Sequence, residues 1–415
     1  MNVRRSAAAL AAAALVAAGG APAALADGGS PSPSSSAALP PGLYGTSDPT
    51  YDGVFRQSYA LLAQLTGGVR PTSEASGWLT VQQCADGGFA AYRARPAKPC
   101  DDKTPRDSNS TAAAVQALAA LGGDAADRAA GRAVDWLKSV QNDDGGWGYN
   151  PGMPSDANST GIVVGALAAV HTAPGDVRSA KGGKTPWDAL PALALPCAKG
   201  GAFGLRDDKS GKLSANADAT AAGVLGGLGK GMVATAGGPV AKGACRDGDR
   251  ATARGAAANG ARYLARQLAK SAHLTSQLPG ADDQPDYGNT ADAVVALAAA
   301  GRTTEAKRAY DWLSGHAGDW AESAGPAGYA QLILAAHAAG RDPHSFGGGT
   351  DLVTALAKLG PAPATEHPAT GAAGTKKDGG DDGDGIFGVW WWVGVCLVIG
   401  VGIGFLFSRR GGRGA

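Results

Sequence analysis

Between residues 52 and 360 the chain alternates two kinds of apolar segment. The first kind is apolar on every side and low in bulk: "FRQSYALLAQLTGG" (55–68), "STAAAVQALAALG" (110–122), "STGIVVGALAAVH" (159–171), "ADATAAGVLGGLG" (217–229), "TADAVVALAAAG" (290–301) and "AGYAQLILAAHAAG" (327–340). Each is about three helical turns long and stops on Gly or His, as helices that close in a left-handed residue do. The second kind carries aromatic and charged residues: "ASGWLTVQQCADGGF" (75–89), "AVDWLKSVQNDDGGW" (133–147), "ARYLARQL" (261–268) and "AYDWLSGHAGDW" (309–320). These predict amphipathic helices with one face in water.

The joints between the two kinds repeat as well. "DSNST" (107–111), "DANST" (156–160), "SANAD" (214–218) and, more loosely, "DYGNT" (286–290) precede low-bulk segments. Asp, Asn, Ser and Thr at a helix start accept hydrogen bonds from its unpaired N–H groups, so these residues read as caps. Matching the Asn residues aligns Asn109, Asn158 and Asn216. Units of paired helices stack until they close or need capping, and antiparallel neighbours put all these starts on one rim. Small residues permit close approach, so the low-bulk series is expected inside and the Trp- and Arg-bearing series outside. The predicted fold is all-α: an α6/α6 toroid, a double ring of about twelve helices, over residues 52–360.

The flanks differ in composition. Residues 1–26 begin with Arg4 and Arg5, continue apolar and end in Ala24-Leu25-Ala26, the form of a signal peptide. Residues 27–51 and 361–385 are rich in Pro, Gly, Ser and charge and are expected to be flexible. "IFGVWWWVGVCLVIGVGIGFLF" (386–407) is uncharged and, at about 1.5 Å per residue, long enough for one bilayer crossing. Arg409, Arg410 and Arg413 in the tail 408–415 put the C-terminus in the cytoplasm. The expectation is a single-pass plasma-membrane protein, held by a C-terminal transmembrane helix, whose N-terminal domain is extracellular.

Charge and cysteine content narrow the functions. Lys and Arg number 37 against 36 Asp and Glu, and no basic stripe appears in the domain, so nucleic acid is not an expected partner. Cys84, Cys100, Cys197 and Cys245 form an even set in an oxidising compartment and predict two disulfides. Three connectivities exist, of which neighbour pairing is the simplest; each bridge would stabilise by about 3–4 kcal/mol in the loop-entropy picture.

Gln83 to Phe89 and Gln141 to Trp147 share the pattern Gln-x-x-Asp-Gly-Gly-aromatic. This resembles the QW repeat of the terpenoid cyclase and protein prenyltransferase superfamily, which includes squalene-hopene cyclase-type enzymes built on prenyltransferase/squalene oxidase repeats. The resemblance implies an α6/α6 toroid, with Gln83, Phe89, Gln141 and Trp147 tying outer helices together. It would also supply catalytic groups, but no Asp-x-Asp-Asp acid and no Asp, Cys and His set for zinc stand in 52–360. "DDQPD" (282–286) imitates a diphosphate-binding acidic motif, yet Asp286 already reads as a cap. No catalytic residue, no metal and no required cofactor are therefore expected.

In lacking cyclase acids the chain is similar to the non-enzymatic transcobalamin and intrinsic factor members, which enclose a corrinoid. That likeness implies a cell-surface binding module for a small molecule, with a corrinoid as one ligand, or for a partner protein. A surface lipoprotein or an uptake transporter would complete the site. The expected binding rim comprises Asp86, Phe89, Asp107, Asn109, Asp144, Trp147, Tyr149, Asp156, Asn158 and Asp286, with His337 set apart in a low-bulk helix. The alternatives are a cyclase or prenyltransferase-type enzyme and a purely structural surface protein.

Overall fold

The computed structural model describes residues 40–207, 209–240, 243–277 and 283–361. The signal peptide expected at 1–26, the membrane span at 386–407 and the tail at 408–415 lie outside the described residues, as does the linker 361–385 beyond Pro361. Among the described residues no helix is long and apolar enough to cross a membrane.

The low-bulk segments form α1 (Gly53–Thr66), α3 (Ser108–Leu121), α5 (Ala157–Ala169), α7 (Ala217–Gly227), α9 (Tyr287–Ala299) and α12 (Pro326–Ala339). Between them run α2 (Ser73–Val81), α4 (Asp124–Ser139), α6 (Pro186–Leu193), α8 (Ala253–Leu268), α10 (Thr303–His316), a short α11 (Gly318–Ala324) and, last, α13 (Leu352–Lys358). Each inner helix stops at a residue of positive φ: Gly68, Gly122, His171, Gly229, Gly301 and Gly340. Helix α1 packs on α3, α3 on α5, α5 on α7, α7 on α9, α9 on α12 and α12 back on α1, which closes a ring. Outside it, α2, α4, α6, α8, α10 and α13 each pack on the inner helix that precedes them. The arrangement is an α/α toroid.

Composition explains the two layers. Every residue of α3 from Ser108 to Leu118 is buried, whereas α4 buries one face through Ala129, Ala130, Ala133, Val134, Trp136 and Leu137. Small residues let inner helices touch: a Cβ on Gly161 of α5 would lie 2.4 Å from the Ala222 carbonyl oxygen of α7. Helices α6 and α13 were not legible from periodicity. They are about two turns long, and α6 depends on a Thr185–Asp188 capping box with Pro186 at its start.

The corners share one hydrogen bond. The backbone N–H of Phe89, Trp147, Phe203 and Leu274 donates to the hydroxyl of Thr111, Thr160, Thr220 and Thr290, at 2.9, 3.1, 3.1 and 3.0 Å. In three units the same hydroxyl donates to the carbonyl of the cap residue: Asp107, Asn216 or Asp286. Two corners were recognised from sequence; the other two, at Phe203 and Leu274, lack the Gln and Asp of the pattern. Gln83 Nε2 donates to the carbonyls of Gly87 and, on the next outer helix, Ala129. Phe89 and Trp147 are wholly buried, and Trp147 Nε1 donates to the Leu137 carbonyl at 2.7 Å. Gln83 thus bonds across to the next outer helix, whereas Gln141, whose Nε2 donates to the Gly145 carbonyl, and Trp147 bond within their own corner. Gly87 has φ +97° and its missing Cβ would fall 2.2 Å from the Arg132 carbonyl oxygen, so no other residue fits that turn.

Three sequence readings need correction or closure. Asn216 is the cap of α7, equivalent to Asp107 and Asp156, so the residues equivalent to Asn109 and Asn158 are Asp218 and, in α9, Gly288. The Asn-based alignment had slipped by two residues. The packed domain also starts before residue 52: Tyr44 is 2% exposed, its N–H and hydroxyl donate to Gln57 and Gln64, and Gly45 N–H reaches the Leu359 carbonyl. Residues 43–51 are therefore no spacer; they seal the seam where the two ends of the domain meet. The cysteines pair as neighbours, Cys84 with Cys100 and Cys197 with Cys245.

The corner bond is testable. Thr160→Val strands the buried N–H of Trp147 and should lower unfolding stability by about 1–3 kcal/mol. Thr160→Ser should recover most of it, measured as the denaturant midpoint at unchanged slope. An unchanged midpoint in the Val variant would remove the corner bond from the account of the fold.

Candidate functional site

The inner ring encloses a pit of about 110 Å³ with lining residues from all six inner helices. Phe55 and Tyr59 come from α1, Asn109 and Gln116 from α3, Asn158 and Ile162 from α5, Asp218 and Leu225 from α7, Asp292 and Val295 from α9, and Gln331 and Leu334 from α12. The segment Lys230-Gly231-Met232, after α7, crosses the lumen beside the later turns of α3 and α5. Met232 N–H donates to Gln116 Oε1 at 2.9 Å there. Asn109, Asn158 and Asp218 stand in the first turns, toward the opposite end.

The two carboxyls dominate the electrostatics. Asp218 Oδ2 accepts from Asn158 Nδ2 at 2.6 Å, and Asp292 accepts from Gln331 Nε2 at 3.1 and 3.3 Å. Burial pushes Asp292 up to about 8, reinforced by the negative charge of Asp218. Burial likewise pushes Asp218 up to about 6, with the Asn158 bond pulling down and Asp286 and Asp156 pushing up. Both carboxyls keep some accessible surface although they lie deep in the ring, because that surface faces the pit. Near neutral pH the pair therefore carries about one negative charge. The Tyr59 hydroxyl is held well above its ordinary value by burial and by both carboxylates. Around this pair the side-chain oxygens of Asn109, Asn158 and Gln331 have no hydrogen-bond partner.

Of the residues singled out from sequence, Asn109 and Asn158 line the pit. Asp107, Asp156 and Asp286 cap α3, α5 and α9 through bonds from the N–H of Ser110, Ser159 and Asn289. Burial raises Asp107 to about 7 despite those capping bonds. Asp86 and Asp144 hold their turns by accepting from the N–H of Gly88 and Gly146, and Asp86 also pairs with Arg106 at 3.1 Å. Phe89 and Trp147 are core residues. Tyr149 accepts from Ser108 N–H through its carbonyl, and its hydroxyl is raised by burial and by Asp107. His337 is half-buried in the last turn of α12, away from the pit lining. Asp282 lies outside the described residues, and Asp283 beside it is exposed. Among the described residues no three His, Cys, Asp or Glu side chains gather as a metal site.

Sequence reading missed Asp218, Asp292 and Gln331. The available signal was a charged or amide residue inside an otherwise apolar helix: "ADATAAG", "TADAVV" and "YAQLIL".

Residues 108–176, from the start of α3 to just past α5, match the family model of the squalene-hopene cyclase C-terminal domain. The match contains the Gln141–Trp147 corner and supports a terpenoid cyclase-like α/α toroid. Among solved structures it is similar to a type II terpene cyclase from Scytonema in complex with merosterolic acid A. That likeness has 16% identity, covers 69% of this chain and 79% of the other, and has a TM-score of 0.40. A sugar epimerase from a ruminal bacterium is similar at 14% identity, with coverages of 66% and 80% and a TM-score of 0.42. A protein from Actinoplanes is similar at 18% identity, with coverages of 63% and 80% and a TM-score of 0.28. No curated protein matches the chain.

The lumen carboxyls make stability depend on pH in a stated direction. Both bind a proton more tightly folded than unfolded, where 3.8 is the ordinary value. Their contribution is complete below about pH 4 and is lost as pH rises through about 6 and then about 8. The thermal midpoint should fall between about pH 5 and pH 9, and Asp292→Asn should flatten the upper part of that fall. A midpoint independent of pH over this interval in the parent chain would contradict the burial of the pair.

Proposed function

We propose that this terpenoid cyclase-like α/α toroid is a non-catalytic binding module that holds a small hydrogen-bonding molecule in its lumen. One observation carries the reading: three amide oxygens without partners surround two carboxyls inside a pit reached by every inner helix. A buried polar atom left unpaired costs roughly 1–3 kcal/mol, and a ligand that pairs it recovers part of that cost. The predicted export signal and membrane span favour a module tethered outside the plasma membrane. A surface lipoprotein or an uptake transporter would receive the ligand there.

The volume of about 110 Å³ is below the roughly 300–1,000 Å³ of ordinary ligand pockets and favours a molecule smaller than a corrinoid.

A second reading rests on Asp292, a carboxyl held protonated near neutral pH and thus a potential general acid. Against it stand the volume and the walls, whose aromatic members are Phe55 and Tyr59. A reactive carbocation is better protected by a chamber faced with rings.

Native mass spectrometry of the full-length chain purified from its own host separates these readings. Bound small-molecule mass is expected, and it should be lost in Gln331→Leu. Incubation with squalene or isoprenoid diphosphates should give no product. Turnover abolished by Asp292→Asn would overturn the non-catalytic reading.

A further inference from the structure

We propose that the lumen selects a short primary ammonium ion, bound by the Asp218–Asp292 pair and the unpaired oxygens of Asn109 and Gln331. The inference rests on the holding function above and names its ligand class.

Two amide donors of the lumen are already engaged by its carboxyls. Gln331 Nε2 faces Asp292, and Asn158 Nδ2 faces Asp218. When ionised, those carboxyls fix which way the Asn158 and Gln331 amides point, because the reverse orientation would set oxygen against oxygen. The Asn158 and Gln331 oxygens are thereby acceptors facing an ionised pair, the Asn109 oxygen is likewise unpaired, and Gln331 and Asn109 are only 4% and 8% exposed. A site with surplus acceptors and a negative charge calls for a ligand that brings donors alone. An ammonium group has three N–H donors, no acceptor and the opposite charge. A hydroxyl brings one donor and no charge.

The rest of the pit suits the remainder of such a molecule. Phe55 and Tyr59 stack with ring centroids 5.0 Å apart and both line it, offering a face to a cation or to the methylenes beside it. Leu225, Val295 and Leu334 complete an aliphatic wall. The volume suits a chain of about four carbons. Lys230, a basic residue of the lining, is exposed and belongs to the crossing segment beside the later turns. The charged and titratable groups acting on the pair are Tyr59 on α1, Asp156 at the start of α5 and Asp286 at the start of α9; α12 contributes the neutral Gln331.

Calorimetric titration of the full-length chain at pH 7 tests this with n-butylamine, 1,4-diaminobutane, tetramethylammonium and butane-1,4-diol. At least one primary amine should bind ten or more times more tightly than the diol and release protons, because a cation drives Asp292 to ionise. Asp218→Asn should weaken amine binding at least tenfold while changing diol binding less than twofold. Asn109→Ala is the second variant, and it should weaken the amines but not tetramethylammonium. Equal binding of amine and diol would overturn the ammonium inference and leave the holding function standing. Equal binding of tetramethylammonium and butylamine would overturn the role given to N–H donors. Failure of all four probes, together with no bound mass in host-derived protein, would overturn the inference and the holding function alike.

Discussion

A threonine hydroxyl, placed four residues after the cap of an inner helix, sets the geometry of this ring. It accepts the N–H of the corner residue, Phe89, Trp147, Phe203 or Leu274, and so fixes the rotation of its helix about its own axis. Successive residues of an α-helix turn by about 100°, so the residue two before the threonine faces nearly the opposite way. With the threonine turned outward to its corner, that residue must face the lumen. In α3, α5, α7 and α9 it is Asn109, Asn158, Asp218 and Gly288. Four and seven residues further on, the same face carries Ile162 and Asp292, then Gln116, Leu225 and Val295, which are the residues that line the pit. One outward bond thus determines what points inward.

The low bulk of the inner helices follows from the same constraint. Six helices close into a ring only if neighbours approach nearly backbone to backbone, as α5 and α7 do at Gly161 and Ala222. Tight closure leaves a narrow lumen, and a narrow lumen limits its contents to something small. It also removes bulk water from Asp218 and Asp292, which is why both resist ionisation. Corner bond, ring radius and carboxyl acidity belong to one chain of causes.

Much of this was legible in the sequence, for identifiable reasons. The inner helices are legible to within about three residues because their all-round apolar runs and their Gly or His stops are local signals. The corners at Phe89 and Trp147 were found because Gln, Asp and two glycines mark them. The corners at Phe203 and Leu274 keep the hydrogen bond, but a backbone N–H leaves no trace in the sequence once the side chains around it change. The lumen was missed through a register error: Asn216 looked like Asn109, yet it caps its helix as Asp107 does. That slip hid Asp218 as the lumen residue. Asp292 and Gln331 lie on other helices, and only closure of the ring brings the three together, a non-local event that periodicity does not encode.

The same closure bears on why this ring should hold rather than transform. A catalytic acid needs a substrate bond within reach and walls that steer the charge it creates. Asp292 instead faces a second carboxyl, amide oxygens and short aliphatic side chains, an arrangement that stabilises a positive charge already present on its arrival. A carbocation generated there would meet unpaired oxygens, which are nucleophiles, alongside only two aromatic rings. An ammonium ion of the proposed kind would meet the same oxygens as hydrogen-bond acceptors. Groups that would destroy a reactive cation are the groups that retain a stable one, and the lumen is furnished with those groups.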